Sequence, residues 1–409
     1  MQAGVSEEFT PSSAAELARF LADNAAGPHR AMLPVGGRTA IRYGLPLTGP
    51  ATLIPTTSLD AVADYPARDM TITVGAGIRV AELEQLLAAE GQRLPIDIPD
   101  ATRATLGGAI ATNTSGLGRF GHGTFRDYVI GVSAVDGQGR AFSGGGRVVK
   151  NVAGYDLCKL LVGSLGTLAV VTEVTLKLRP RPETRAAVWT ECPTLETADA
   201  LLTGLNTSAT RPVAIELLNA AALRSLRACG LPSLAESACL LGVFYEGGER
   251  ETRWQTDTLL AEFRDAAPGA CVAFASDDAN KQWAELKEFP TAGDDPVTIS
   301  VSVPPSQVAG ILQAAGERGA AAQAHAGNGV VIAHLPDDIT TVEQARAAIQ
   351  PLRKIAEAAG GSLVVWNCDD AWKTPGSVFG DERHWSPWMS RVKAALDPHQ
   401  TLSPGRLPL

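Results

Sequence analysis

Three glycine-rich stretches follow one another in the first half of the chain, and their chemistry is that of a cofactor cradle. They are PVGGRT at Pro34 to Thr39, ATLGGAIATNTSG at Ala104 to Gly116, and KNVAGYDLCKLLVGSLGTLAVVTEV at Lys150 to Val174. Glycine permits sharp turns and lets a ligand approach the backbone N–H groups, which attract an anion. Each stretch is flanked by strand-like apolar residues, so three in series predict one binding site built from loops.

Two other segments approach the dinucleotide fingerprint GxGxxG, and neither satisfies it. Gly75 to Val80 has a strand before it and a helix after it, but Val80 replaces the glycine that allows close helix packing. Gly116 to Gly121 has the three glycines but lacks an apolar strand before it and a clear helix after it. No GKS or GKT sequence follows a suitable glycine, so a Walker A phosphate loop is excluded.

The elements that must position these loops alternate between strand and helix. Ser13 and Glu16 form a capping-box pattern, which predicts a helix to about Asn24. Strands are predicted at Met32 to Val35 and Met70 to Val74, each leading into glycine. The further elements expected in this region are a helix at Val80 to Glu90, a strand at Tyr128 to Val135 and a strand at Gly166 to Leu178. The first region is therefore α+β.

A second domain follows a proline-containing break. Pro180 and Pro182 interrupt the periodic pattern, which places a boundary near residue 182. Strands are expected at Ala186 to Glu191, Val213 to Leu217, Cys239 to Tyr245, Val297 to Val303, Val330 to Leu335 and Ser362 to Trp366. Thr341 and Gln344 begin a helix before the last of these strands. The pattern predicts a sheet covered by helices.

Composition excludes several functional classes. The 409 residues are 45% hydrophobic, enough for two cores, and the net charge of -9 disfavours nucleic-acid binding. The longest uncharged stretch, Pro296 to Gly316, contains two adjacent prolines and is not a membrane span. The N-terminus lacks the pattern of a signal peptide, so we expect a cytoplasmic protein that reaches a membrane only through partners.

The cysteines give no sign of a metal centre. Iron–sulfur and structural zinc sites usually contain closely spaced cysteine pairs, and this chain has no CxxC sequence. We interpret the six residues as buried, reduced thiols: Cys158, Cys192, Cys229, Cys239, Cys271 and Cys368.

The glycine motifs together resemble the FAD-binding domain of the vanillyl-alcohol oxidase flavoprotein family, the PCMH-type FAD domain, over about residues 10 to 182. In that family the PxGGxT loop wraps the FAD pyrophosphate with backbone amides. The resemblance assigns this role to Pro34, Gly36, Gly37, Arg38 and Thr39. Members that attach FAD covalently commonly have a histidine where this chain has Arg38, which implies non-covalent FAD, although His122 is also near the cradle in sequence.

The second and third family motifs complete the expected cofactor site. The second would line the flavin and its ribityl chain with Pro99, Thr105, Gly107, Gly108, Ala111, Thr112 and Gly116. The third corresponds to Gly154, Tyr155, Asp156, Gly163, Gly166, Thr167 and Val171. The fold that the resemblance implies is a PCMH-type FAD-binding domain (1–182), an α+β cap on the substrate side (183–380) and a C-terminal segment (381–409) that packs back on the FAD domain.

The run from Gly145 to Pro182 and the ending Asp397 to Arg406 resemble the branch that oxidises 2-hydroxy acids such as D-lactate and glycolate. Within this branch the resemblance is greatest to the FAD-binding E subunits of bacterial glycolate oxidases. Complete enzymes of the branch hold a divalent metal with HxGDGNxH and ExHG motifs. Here only His325, Gly327 and Asn328 match the first motif and the second is absent, so we predict no metal and a structural role for His325.

The resemblance implies a flavoprotein subunit of a complex that oxidises glycolate to glyoxylate. Its partners would be a second FAD subunit and an iron–sulfur subunit, which receives the electrons at the cytoplasmic face of the membrane. The catalytic base and carboxylate clamp are unknown, although Asp369, Asp370 and Lys373 are polar candidates. Two alternatives stay open: a self-sufficient FAD-linked 2-hydroxy-acid dehydrogenase, and a structural flavoprotein subunit without turnover of its own.

Overall fold

The structure, a computed structural model, describes residues 5–146, 155–226, 230–231, 239–266, 271–291, 295–380 and 386–408. The chain forms two units. Unit 1 comprises Met1–Ser115, Thr124–Arg181 and Asp381–Leu409, and unit 2 comprises Gly116–Gly123 and Pro182–Gly380. The sequence analysis assigns residues 116–123 to the first domain, whereas here they pack with unit 2.

Unit 1 contains ten strands among its described residues: β1 (Val5–Glu8), β2 (Ala31–Val35), β3 (Ala51–Pro55), β4 (Val62–Asp64), β5 (Thr71–Gly75), β6 (Gln92–Arg93), β7 (Val129–Asp136), β8 (Ala141–Gly145), β9 (Ala169–Lys177) and β10 (Arg179–Pro180). Its helices are α1 (Ala14–Ala26), α2 (Val80–Ala89), α3 (Leu106–Thr112), α5 (Phe125–Tyr128), α6 (Leu157–Leu161) and α14 (Ser386–Leu396), while α4 (Arg119–His122) lies in unit 2.

Two sheets organise unit 1. A parallel sheet has the order β1-β3-β2, and an antiparallel sheet has the order β4-β5-β9-β7-β8. Helix α1 begins where the sequence predicts, because the Ser13 hydroxyl accepts a hydrogen bond from Glu16 N at 3.2 Å. Its Leu17 and Leu21 are fully buried in a core with Met32 of β2. Helix and sheet thereby fix the strand that leads into the first glycine loop.

Unit 2 is built on one eight-stranded antiparallel sheet with the order β14-β11-β13-β12-β16-β17-β15-β18. The strands are β11 (Thr184–Cys192), β12 (Ala214–Asn219), β13 (Cys239–Gly247), β14 (Cys271–Ala275), β15 (Thr298–Ser302), β16 (Ala321–His325), β17 (Val330–His334) and β18 (Ser362–Asn367). The helices are α7 (Leu195–Leu205), α8 (Ala220–Ser225), α9 (Glu249–Ala266), α10 (Asp277–Glu288), α11 (Val308–Gly316), α12 (Val342–Ala358) and α13 (Pro375–Phe379).

Both faces of the large sheet carry apolar cores, as a sheet covered by helices requires. One core contains α11 and α12 residues such as Leu312 and Leu352 packed on strand residues such as Val301. The opposite core contains Trp189, Phe244 and the α10 residue Trp283. The predicted α+β class and the predicted helix-covered sheet are confirmed. In the described residues no helix is both long and apolar enough to cross a bilayer.

Candidate functional site

The PVGGRT loop leaves β2 with a run of backbone N–H groups that are not used within the protein. In the part of the chain that the structure describes, the amides of Gly36, Gly37, Arg38 and Thr39 donate to no protein acceptor. Arg38 has φ of 61°, while the preceding Gly37 does not have a positive φ. A turn that contains a left-handed residue can direct successive N–H groups to one side, which makes an anion-binding concavity. This loop therefore has the backbone chemistry of a phosphate site.

Glycine is required in this loop because another loop touches its backbone. A Cβ atom on Gly36 would overlap the Thr105 hydroxyl, and one on Gly37 would overlap the Arg103 carbonyl oxygen. These overlaps involve backbone or a short, fixed side chain, which cannot move aside at low cost. The first and second glycine stretches are thus in direct contact.

Helix α3 presents small residues on a partly open face. Thr105 caps it by accepting a hydrogen bond from Gly108 N at 3.3 Å, and Gly107, Ala111 and Thr112 are half-buried. The helix ends at Asn113, a left-handed residue with φ of 51°. The Oδ1 atom of Asn113 is buried and has no hydrogen-bond partner among the described residues. A buried oxygen of this kind requires an explanation, and a bound group beside α3 supplies one.

The third glycine stretch closes against the end of α3. Gly163 N and Leu165 N donate at 2.9 Å to the carbonyl oxygens of Ile110 and Ala111 at the end of the helix, where Ile110 O also accepts from Asn113 N at 3.0 Å. Gly163 and Gly166 have positive φ values of 84° and 67°, which favour glycine. A Cβ on Gly166 would lie 3.8 Å from Pro34. All three stretches therefore converge within unit 1.

The C-terminal segment supports this convergence through a buried charge network that the sequence analysis did not predict. Lys393 Nζ donates to the Thr167 carbonyl at 2.7 Å and lies 2.5 Å from the Asp397 carboxylate. Asp397 also accepts from Leu402 N, and the Ser403 hydroxyl donates to the Gly166 carbonyl at 3.2 Å. Burial lowers the pKa of Lys393. The sequence analysis singled out the ending from Asp397 to Arg406, but that motif does not include Lys393.

The remaining residues predicted for the cofactor site do not share one environment. Tyr155 is 92% exposed, and Asp156 caps α6 and pairs with Lys159 at 2.5 Å, contacts that lower the pKa of its carboxyl group. Pro99 is half-buried in the loop before α3, and Val171 is half-buried in β9. The Arg38 guanidinium lies 3.4 Å from Glu8 on the surface. Gly154 lies outside the described residues, and Gly116 belongs to unit 2.

The residues present fit FAD. Its pyrophosphate requires converging donors, which the four unpaired amides of the PVGGRT loop provide, and its large planar ring requires a surface without bulky side chains. Gly108 and Ala111 on α3 form such a surface, whereas Gly107 packs against Ala76.

Unit 2 contains two buried ion-pair clusters. Glu216 of β12 is fully buried and lies 2.8 Å from His325 Nδ1, while its second oxygen accepts from Gln323 at 2.8 Å. Glu246 lies 2.9 Å from His122 Nε2 and 2.5 Å from Arg185. His325 thus pairs with a buried carboxylate, and such a contact would suit a structural role. Glu216 was not singled out in sequence because it lies alone in an apolar strand.

The Gly116–Gly123 segment joins this second cluster. His122 bonds to Glu246, Gly121 N donates to Val213 O at 2.9 Å, and the Phe120 ring covers Gly327 so closely that a Cβ there would lie 2.5 Å from the ring. These contacts are the physical reason that the segment groups with unit 2. Among the described residues no three His, Cys, Asp or Glu side chains are arranged to hold a metal ion.

Two family models match the chain. The FAD binding domain matches residues 8–145, and the C-terminal domain of FAD linked oxidases matches residues 181–364. The two predicted domain types are therefore confirmed, and FAD is the cofactor expected of this family.

Curated relatives include two that match over most of the chain. Glycolate oxidase subunit GlcD of Bacillus subtilis is 26% identical over 98% of this chain and 88% of that protein. The mitochondrial D-lactate dehydrogenase [cytochrome] of Arabidopsis thaliana is 28% identical over 92% of this chain and 69% of that protein. Glycolate oxidase subunit GlcE of Escherichia coli is 36% identical, but over 36% of this chain and 42% of that protein.

A solved structure has the same fold. Alkyldihydroxyacetonephosphate synthase superposes with a TM-score of 0.68 at 20% identity, covering 98% of this chain and 77% of that one. At this identity the likeness shows the fold alone.

Proposed function

We propose that this chain, which the models of the FAD binding domain and of the FAD linked oxidase C-terminal domain match, binds FAD without a covalent bond and oxidises a short 2-hydroxy acid. The observation that supports this most directly is the convergence of three glycine loops around four N–H groups with no acceptor in the described protein. The relatives named as glycolate oxidase subunits and as a D-lactate dehydrogenase indicate the substrate class.

Each part of the proposed site would contact a different part of FAD. The amides of Gly36, Gly37, Arg38 and Thr39 would bind the pyrophosphate, and the small residues of α3 would lie along the flavin and ribityl chain. Thr105 would hold the two loops together through its contact with Gly36. Bound FAD would supply a two-electron acceptor for the carbon that carries the hydroxyl group.

Non-covalent attachment is supported by the surroundings of two residues. Arg38, at the position where a histidine would mark covalent attachment, is directed to Glu8 and has no nucleophilic atom. His122, the histidine that lies near the cradle in sequence, contacts Glu246 within unit 2. Denaturation should therefore release all of the FAD from the polypeptide.

We propose further that the chain is a subunit of a complex that oxidises glycolate to glyoxylate. Reduced flavin must pass its electrons onward, and the sequence has no closely spaced cysteine pair of the kind that binds an iron–sulfur cluster. A second FAD subunit and an iron–sulfur subunit are the proposed partners. The names of the GlcD and GlcE relatives support a multi-subunit assembly.

A second candidate is a self-sufficient 2-hydroxy-acid dehydrogenase. The match to the Arabidopsis D-lactate dehydrogenase over 92% of this chain favours it. The two candidates differ in whether the isolated chain can reduce its own flavin.

The test is an anaerobic absorbance spectrum of the purified chain before and after glycolate and D-lactate, with and without copurifying partners. Bleaching of the flavin band that needs the partners supports the subunit role, and bleaching in the isolated chain supports the self-sufficient enzyme. A flavin band that no 2-hydroxy acid bleaches in either preparation argues against substrate oxidation. Absence of any flavin band after FAD is supplied would refute the proposed cradle.

A further inference from the structure

Three cysteines that are far apart in sequence meet at one corner of the unit 2 sheet. Cys192 is the last residue of β11 and lies directly opposite Cys239, the first residue of β13, in antiparallel register. Cys271 begins β14 on the other side of β11, opposite Thr190. Because residues paired across strands point to the same face, all three side chains enter the same core.

The geometry of the first pair is close to that of a disulfide. Directly opposed residues of antiparallel strands have Cβ atoms about 4.5–5.5 Å apart. A disulfide requires about 3.5–4.5 Å between Cβ atoms and about 4.4–6.8 Å between Cα atoms. Among the described residues Cys192 and Cys239 are the last pair of the β11–β13 ladder, and Cys239 also pairs with Asn219 of β12. Forming the bond would require an approach of roughly 1 Å at this end of the sheet. The Cys239 sulfur lies 3.9 Å from the Cys192 carbonyl oxygen.

Cys271 is placed less favourably. It lies opposite Thr190, which is two residues from Cys192, and its sulfur is 3.3 Å from the Thr190 hydroxyl. Diagonal positions on neighbouring strands are about 7–8 Å apart, too far for a disulfide without backbone movement. Cys271 therefore provides a matched control at the same corner of the sheet.

The two opposed sulfurs differ in their exposure to solvent. Cys239 is 6% exposed and Cys192 is completely buried. Because Cys239 is the less deeply buried of the two, it is the sulfur that a small oxidant would reach first.

We propose that Cys192 and Cys239 are a redox-active dithiol that closes to a cross-strand disulfide in the presence of a peroxide. The Cys239 thiolate attacks one peroxide oxygen, the O–O bond breaks, and one water leaves after protonation. The Cys192 sulfur then attacks the sulfenic sulfur of Cys239, the S–O bond breaks, and a second water leaves. The two thiols are oxidised by two electrons and one peroxide is reduced to two waters.

The bond would join two residues that are 47 apart in sequence, across a segment that contains α7, β12 and α8. Closing a loop restricts the unfolded chain more than the folded one, so the oxidised unit 2 should resist unfolding better. This inference concerns unit 2 and does not depend on the proposed substrate or on FAD binding.

The test is a disulfide map of the full-length protein treated with hydrogen peroxide and then alkylated without reduction. We expect the number of free thiols to fall from six by two, with one cross-linked peptide that joins Cys192 to Cys239 and is released by dithiothreitol. Six free thiols at a peroxide level that fully oxidises glutathione would overturn the proposal. A cross-link to any other cysteine would do the same.

Variants extend the test. Cys192→Ala and Cys239→Ala should each abolish the cross-link and the accompanying rise in melting temperature, whereas Cys271→Ala and Cys158→Ala should retain both. Loss of the cross-link in Cys271→Ala would assign the oxidation to a different pair. If a core variant fails to fold, the map of the wild-type protein still decides the question.

Discussion

Gly36 meets two requirements at one position: its amide donates to no acceptor in the described protein, and a Cβ atom there would overlap the Thr105 hydroxyl. We expect Gly36→Ala to weaken FAD binding by at least about tenfold, which corresponds to about 1.4 kcal/mol, since the added methyl group must push the PVGGRT loop away from α3. Flavin fluorescence titration measures the dissociation constant.

The matched control is Gly49→Ala. A Cβ there meets no atom within 4 Å, and Gly49 does not have a positive φ. Equal effects of the two substitutions would show that the contact with Thr105 is unimportant for the cofactor.

The buried side chain of Glu216 contacts His325, because the register of β12 and β16 places the two residues opposite each other. We expect His325→Leu to lower the free energy of unfolding by about 3 kcal/mol, since the fully buried Glu216 carboxyl group loses its imidazole partner and keeps the Gln323 amide. Urea denaturation followed by circular dichroism measures this. Asp337→Asn, at an exposed position, should change the free energy by less than about 0.5 kcal/mol.

At the scale of elements, the C-terminal segment acts on the cofactor loops through Lys393. Leu402 forms a bridge with Met32 of β2, and Lys393 reaches the carbonyl oxygens of both Thr167 and Leu402. We expect Lys393→Met to destabilise unit 1 by about 3 kcal/mol, because Asp397 would be left buried without its ammonium partner. The melting temperature and the FAD content of the purified protein should both decrease.

The double variant Lys393→Met with Asp397→Leu separates charge from packing. It should recover much of the lost stability, because an uncharged pair leaves no buried carboxylate. No recovery would indicate that the hydrogen bonds of Asp397 to Thr401 and Leu402 matter more than its charge.

The sequence predicted elements well where local signals agreed. The Ser13 cap, the Thr341 capping box and the apolar strands lie where expected, because caps and alternation act over a few residues. Strand β16 was missed, since Ala-Ala-Gln-Ala-His has little strand propensity and becomes a strand only between β12 and β17. The cysteine corner was missed for a related reason: its residues meet through strand register.

The candidate site was predictable as three loops but not as an arrangement. Glycine motifs indicate a ligand, whereas contacts such as Gly36 with Thr105 and Leu165 with Ala111 depend on tertiary packing. The pairing of His122 with Glu246 also could not be read from spacing, because 124 residues separate them.

At the scale of the whole molecule, FAD should stabilise the protein through its pyrophosphate. A ligand at a hundredfold excess over its dissociation constant adds about 2.7 kcal/mol to the stability of the state that binds it. We expect FAD to raise the melting temperature of the flavin-free protein and riboflavin, which lacks the pyrophosphate, to raise it much less. Differential scanning calorimetry measures both. Equal shifts would argue against an anion site in the PVGGRT loop.

The path of the chain between its two units limits how the protein can be recombined with its relatives. The chain passes from one unit to the other four times, because Gly116–Gly123 belongs with Pro182–Gly380 and Asp381–Leu409 belongs with the N-terminal portion. A chimera made with a single junction near residue 182 would give unit 2 a foreign copy of the segment that carries Phe120 and His122. Functional hybrids should therefore require that this eight-residue segment be exchanged together with its unit.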